Sequence, residues 1–249
     1  MFKVWWNDLK IWWLDFRRLS FVDWHWLLTW VAIYLSFIFI DIFTPEFKAG
    51  SALLKYIGIF LCLIYARQKY YKDKLLSAAI LLTFAADTIL VWTNHEVIGV
   101  LVFCFAQLFH LIRLTHTKPK ILLAYGVAVF LIFAFAVFQG YLLPIYAATT
   151  IYAFLLCINL YTAHYNYRKH NHDFKARCAF YAFVCFICCD ICVALRHLML
   201  DGILPTNLLP LVAFLVWVFY YPSQVLMANS STRPESKRER KIAKSSAIE

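Results

Sequence analysis

The sequence predicts an all-α, polytopic membrane protein: a bundle of eight transmembrane helices preceded by an amphipathic helix on the membrane surface. Three observations predict it. The 249 residues are 63% hydrophobic and only 15% charged, far greasier than a water-soluble domain of this length. Apolar runs long enough to span a hydrocarbon core, about 20 residues as a helix, recur along almost the whole chain with short polar breaks between them. The basic residues alternate with these runs as a topology signal does. No dyad alternation of barrel strands is visible, and unpaired backbone polar groups are too costly in lipid, so the spans read as helices.

The opening MFKVWWNDLKIWWLDFRR sets Phe2, Trp5, Trp6, Leu9, Trp12, Trp13 and Phe16 at helical spacing, with Lys3, Asp8, Lys10 and Asp15 elsewhere on the wheel. Tryptophan prefers the headgroup zone and lysine favours anionic lipid, so residues 1–20 read as an interfacial helix on the cytoplasmic leaflet. They do not read as a signal peptide, because no long apolar core precedes a small-residue cleavage site. A membrane domain over residues 21–229 follows, with spans at about 26–43, 51–66, 75–93, 97–114, 121–138, 141–162, 177–199 and 208–229. Only Gln139-Gly140 divides the fifth from the sixth. The tail, residues 230–249, is basic and polar, with the composition of a disordered or membrane-grazing segment.

A net charge of +10 raises the question of nucleic acid, and the placement of the charges answers it. Of 24 Lys and Arg, 21 fall on one side of the predicted membrane; Lys48, Lys55 and Arg196 are the exceptions. The positive-inside rule therefore puts both termini in the cytoplasm, which requires an even number of spans. The partners this implies are membrane lipids with anionic headgroups at the cytoplasmic face, and no nucleic acid. The host is a bacterial inner membrane or an organelle membrane. All eight cysteines lie in or at the edge of spans, so a disulfide framework is not expected. Cys185, Cys188, Cys189 and Cys192 share one helix, which does not readily wrap four ligands around an ion; they read as small residues for close helix packing, and no metal is expected.

Two aspartates stand inside apolar runs: Asp87 in LLTFAADTIL and Asp190 in CFICCDICVAL. An ionised Asp at a membrane helix centre costs about 2.5 to 3.5 kcal/mol on insertion scales, so it faces the bundle interior, finds a partner or stays protonated. Each lies about 12 to 13 residues from the inner end of its span, which at about 1.5 Å per residue puts the two at comparable depth. Two carboxyl groups sharing a cavity do not easily both ionise, so one acid and one base form the expected resting pair. The bland alternative is that each merely hydrogen-bonds between helices. Gln107 and His110 share a face of the fourth span, and Tyr220, Tyr221 and Gln224 lie within about one turn on the eighth, where Pro222 is expected to free a carbonyl for the cavity. Spans 1–4 and 5–8 read as two parallel copies of a four-helix repeat, Asp87 matching Asp190 and Gln107 matching Gln224; chance similarity between apolar helices is the competing explanation.

These residues resemble a known family. Asp87 in span 3, the run ending at His110 in span 4, Asp190 followed by Ala194 and Leu195 in span 7, and YYPSQVLMANS in span 8 are similar to the YhhN family, the lysoplasmalogenases. The resemblance covers most of the membrane part. Ala86, Cys189 and Leu111-Ile112-Arg113 depart from the residues common there. What it implies is hydrolysis of the vinyl ether bond of a lysophospholipid substrate, with no cofactor, by Asp87 and Asp190 as the acid/base pair. Gln107, His110, Tyr220, Tyr221 and Gln224 would bind the substrate and position water. A zinc hydrolase is disfavoured because no HxxxH pair lies within a span, and no GxSxG marks a nucleophilic serine. The non-enzymatic alternative is a lipid-binding or proton-coupled transport protein with the aspartates as a relay.

Overall fold

In the computed structural model, residues 21–93, 95–115, 131, 134–135, 137–140, 144–169 and 173–231 are described, and every regular element among them is helical. Seven helices are each long and apolar enough to cross a membrane. They are α1 (Phe21–Phe43), α2 (Lys48–Lys69), α3 (Lys74–Trp92), α4 (Glu96–Thr115), α5 (Pro144–Lys169), α6 (Phe174–Leu200) and α7 (Leu209–Ala228). The chain is thus a multi-pass integral membrane protein. The predicted interfacial helix, most of the predicted fifth span and the basic tail beyond Ser231 lie outside the described residues.

Local chemistry sets the helix ends. Asp73 caps α3 by accepting the Leu76 N–H at 3.1 Å, and Asp173 caps α6 by accepting that of Lys175 at 3.0 Å. At the far end of α6, Gly202 adopts φ +74°. The Gly202 N–H bonds the Met199 carbonyl at 3.2 Å and the Ile203 N–H bonds that of Leu198 at 2.9 Å, the paired closure of a Schellman cap. Helix α5 starts at Pro144 and runs to Lys169, well past the apolar window that predicted it to end near 162. Its last two turns carry aromatic and basic residues suited to the headgroup zone, which hydropathy does not register.

Each of α2 to α7 packs on its neighbours in sequence, and α2 closes against α7 to complete a ring. Helix α1 lies outside the ring, against α2 and α7. Two junctions join parallel helices. Cys104, Gln107 and Leu114 of α4 meet Ala148, Asn159 and Asn166 of α5 in the same order along both chains. Likewise Gly58 and Tyr65 of α2 meet Tyr221 and Asn229 of α7. Exchanging α2-α3-α4 with α5-α6-α7 therefore maps the ring onto itself and exchanges Asp87 with Asp190, in keeping with the two parallel repeats read from the sequence.

Small residues at the contacts, among them Ala66, Ala86, Ala163, Ala182, Cys62 and Cys178, are buried, as expected where packing rather than expulsion of water holds helices together. Large apolar side chains such as Leu35, Phe39, Phe43 and Phe154 face outward, which suits lipid and not water. All eight cysteines are free thiols.

Pro222 sits inside α7 without ending it. Having no N–H, it deprives the Val218 carbonyl, one turn back, of its helical donor. That carbonyl does not line a cavity as expected from the sequence: the Tyr34 hydroxyl, from α1, donates to it at 3.2 Å.

Candidate carboxylate site

Asp87 faces inward from α3 and Asp190 from α6, each in contact with a tyrosine from a neighbouring helix. The Tyr220 hydroxyl donates to Asp87 Oδ2 at 2.5 Å, and the Tyr152 hydroxyl donates to Asp190 Oδ2 at 2.6 Å. Aromatic contacts brace the tyrosines: Tyr152 packs on Phe103 with ring centres 5.8 Å apart, Phe103 on Phe186 at 6.2 Å, and Phe186 edge-on against Tyr220 at 5.6 Å. Offset and edge-on aromatic pairs of this kind fix ring direction as well as area.

Asp87 also lines a cavity of about 460 Å³ between α1, α2, α3 and α7, a volume in the range of small-molecule sites. Its walls are largely apolar, with Val91, Trp92, Phe214 and Trp217 among them. Its polar groups are few: Asp87, Tyr56, Thr44, and the ion pair of Lys55 with Asp41 at 2.7 Å. Tyr56 hydrogen-bonds Thr88, the residue beside Asp87. Asp190 is not among the lining residues.

The residues expected from the sequence to bind substrate divide into two groups. Tyr220 joins the carboxylates. Gln107 lies deeper, where its carbonyl and its Oε1 accept from Asn159 Nδ2 at 2.8 and 2.9 Å. Asn159 is seven residues past Tyr152 on α5, about 10 Å along the axis at 1.5 Å per residue. His110 lies further still toward the Thr115 end, its Nδ1 3.3 Å from Arg113 Nη2 and its ring edge-on to Phe183. Arg113 in turn bonds the carbonyl and hydroxyl of Ser230. Gln224 is buried beside Ser223, to which its Nε2 donates at 3.3 Å. Tyr221 turns away from Tyr220 into the seam of α1, α2 and α7, stacking on Tyr34 at 5.6 Å and meeting Phe37 edge-on at 5.3 Å. Among the described residues, no three His, Cys, Asp or Glu side chains converge as a metal set.

The model of the YhhN family matches residues 50–231. The chain belongs to the YhhN family. That YhhN stretch holds both aspartates, both of their tyrosines and the Gln107–Asn159 pair, while Asp41 on α1 lies before it. No curated protein and no solved structure matches the chain.

Sequence reasoning did not pick out Tyr152, Asn159, Tyr56, Lys55 or Asp41. For Lys55 and Asp41 the signal was present: both charges lie within apolar runs, and Lys55 is one of the three cations that break the topology pattern.

Proposed function

We propose that this site hydrolyses the vinyl ether bond of lysoplasmalogens, converting an alkenyl lysophospholipid and water into a fatty aldehyde and a glycerophospho-base. The observation that carries the reading is the carboxylate pair, two aspartates each held by one tyrosine, the two tyrosines joined by ring contacts through Phe103 and Phe186, with Asp87 open to an apolar cavity. Membership of the YhhN family supports the same chemistry.

A vinyl ether reacts by accepting a proton at its β carbon: the double-bond electrons form the new C–H bond, and an oxygen lone pair moves onto the α carbon to give an oxocarbenium ion. Asp87, as the carboxyl group that lines the cavity, donates that proton. The donation leaves Asp87 as a carboxylate, which then takes a proton from the attacking water as its oxygen bonds the cationic carbon. The hemiacetal collapses when its hydroxyl proton leaves and the glycerol oxygen gains one, freeing the aldehyde. Asp190, held by Tyr152, serves as the carboxylate that stabilises the cation across the pair. The hydrocarbon chain lies along Ile40, Val91, Trp92 and Phe214.

The wider architecture belongs to the same proposal. Helices α4 and α5 run parallel, and we take the apolar run at about 121–138 as an eighth crossing that returns the chain from one end of the bundle to the other. Residues 1–20 form the interfacial helix, 21–229 the membrane domain and 230–249 the basic tail, with both termini cytoplasmic and anionic lipid as the partner of the basic ends.

A proton-coupled carrier is the second reading. Its support is the buried polar set Gln107, Asn159, His110 and Arg113, which extends from the carboxylates toward the other end of the bundle. The two readings separate in detergent, where an enzyme converts its lipid and a carrier has no second side to deliver to. Purified protein given alkenyl lysophospholipid should release fatty aldehyde, with none from an ester-linked lysolipid. Asp87→Asn should lower the rate by about a hundredfold or more, the range general acid catalysis supplies. Full activity in folded Asp87→Asn and Asp190→Asn proteins would remove the carboxylate mechanism.

A further inference from the structure

The Lys55–Asp41 pair is an uncommon feature for a membrane-spanning bundle. Two charges taken out of water lose much of their mutual attraction to desolvation, so a buried pair is weak evidence of added stability, and charges at membrane depth mark functional pathways. Lys55 is 7% exposed, its Nζ 2.7 Å from Asp41 Oδ2 and 4.9 Å from the centre of the Trp217 ring. The other oxygen of Asp41 accepts from the Ser51 hydroxyl at 2.5 Å. Lys55, Asp41 and Trp217 all line the cavity that Asp87 opens into, and Lys55 is its one cation among the described residues.

We propose that Lys55 and Asp41 form a headgroup-reading site for a zwitterionic lysophospholipid, Lys55 taking the phosphate and Asp41 the ammonium of its amine. The proposal rests on the hydrolase reading for its substrate class. In such a lipid the vinyl ether and the phosphate sit on the two ends of a three-carbon glycerol, so a molecule with its vinyl carbon at Asp87 carries its phosphate into the same cavity. The contact between Tyr56 and Thr88 sets the two sites at similar depth, because Lys55 precedes Tyr56 and Asp87 precedes Thr88. A Lys–Asp pair is neutral as a whole, and so is a phosphate with an ammonium. On binding, each charge of the pair exchanges its partner for the opposite charge of the headgroup and none is left buried alone. A headgroup with phosphate but no amine leaves Asp41 beside a second anion and is selected against.

The test measures equilibrium binding of three saturated-ether lipids that have no vinyl ether to hydrolyse: an alkyl lysophosphoethanolamine, an alkyl glycerol phosphate without the amine, and an alkyl glycerol without the phosphate. Wild-type protein should prefer the first. Lys55→Gln should weaken it by about tenfold to a hundredfold, the range of a charge-assisted hydrogen bond, and leave the alkyl glycerol unchanged, which also shows that the variant is folded. Lys55→Arg should keep most of the affinity. Asp41→Asn should narrow the preference for the amine-bearing lipid over the alkyl glycerol phosphate. Equal weakening of all three lipids in Lys55→Gln, or of none, overturns the proposal and leaves the pair a structural tie between α1 and α2. Lys55-dependent binding without aldehyde release from the alkenyl lipid would sustain the headgroup site while sinking the hydrolase reading.

Discussion

Among the described residues each carboxylate has a single phenolic donor, which under the proposed mechanism makes Tyr220 and Tyr152 positioning residues. Tyr220→Phe and Tyr152→Phe remove one hydroxyl and keep the ring that packs on Phe186 or Phe103. Each should slow aldehyde release per folded molecule by about tenfold to a hundredfold, the range of a hydrogen bond to a charged group. Initial rates at saturating substrate check this, and unchanged rates would make the hydroxyls structural alone. The aspartates themselves were legible in the sequence because a carboxylate in an apolar run is costly enough to demand a reason. Tyr152 was not, since one more tyrosine carries no contrast in a chain that is 19% aromatic. Nor does sequence spacing separate Tyr220 from Tyr221. Adjacent residues lie about 100° apart on a helix, so one reaches Asp87 and the other the outer seam.

Helix α7 is held at two points that the chemistry of single residues explains. The first is the Tyr34 hydroxyl on the Val218 carbonyl left without a donor by Pro222. Tyr34→Phe should cost about 0.5 to 1.5 kcal/mol of stability, read as a lowered melting midpoint in detergent with catalysis per folded molecule unchanged. The second is Gly58, where an added Cβ would stand 2.2 Å from the Tyr221 ring. Gly58→Ala should therefore force Tyr221 aside or push α2 from α7, at about 1 to 3 kcal/mol, and a Tyr221→Leu background should recover part of the loss. The helices were readable from hydropathy, and most of their ends to within about three residues, but the start of α1, the end of α5 and the chemistry of the caps were not. Capping by Asp73 and Asp173, the Gly202 turn and the interfacial end of α5 all depend on polar residues that a search for apolar windows passes over.

At the scale of the molecule, the ring places two half-structures head to tail through its parallel junctions α4/α5 and α7/α2. One consequence concerns topology. Single cysteines introduced at Lys118 and Gly140, in a background without the eight native cysteines, should react with an impermeant thiol reagent from opposite faces of the membrane. Labelling of both from one face would contradict an eighth crossing between α4 and α5. The two aspartates and two glutamines at matched places were visible in the sequence, but the order of helices around the ring was not, because hydropathy says where a helix is and nothing of its neighbours. The cavity was equally hidden, since it joins α1, α2, α3 and α7, and only Asp87 among its walls stood out beforehand.

The proposed hydrolysis turns on a proton passing from a buried carboxyl group to carbon. The measurement that tests it most directly is hydrolysis of an alkenyl lysophospholipid by the purified protein in deuterium oxide, with the aldehyde trapped as it forms and weighed by mass spectrometry. Proton delivery to the β carbon predicts one deuterium on the carbon next to the carbonyl and slower turnover than in ordinary water. Aldehyde without that deuterium, or no aldehyde from folded protein, would contradict it.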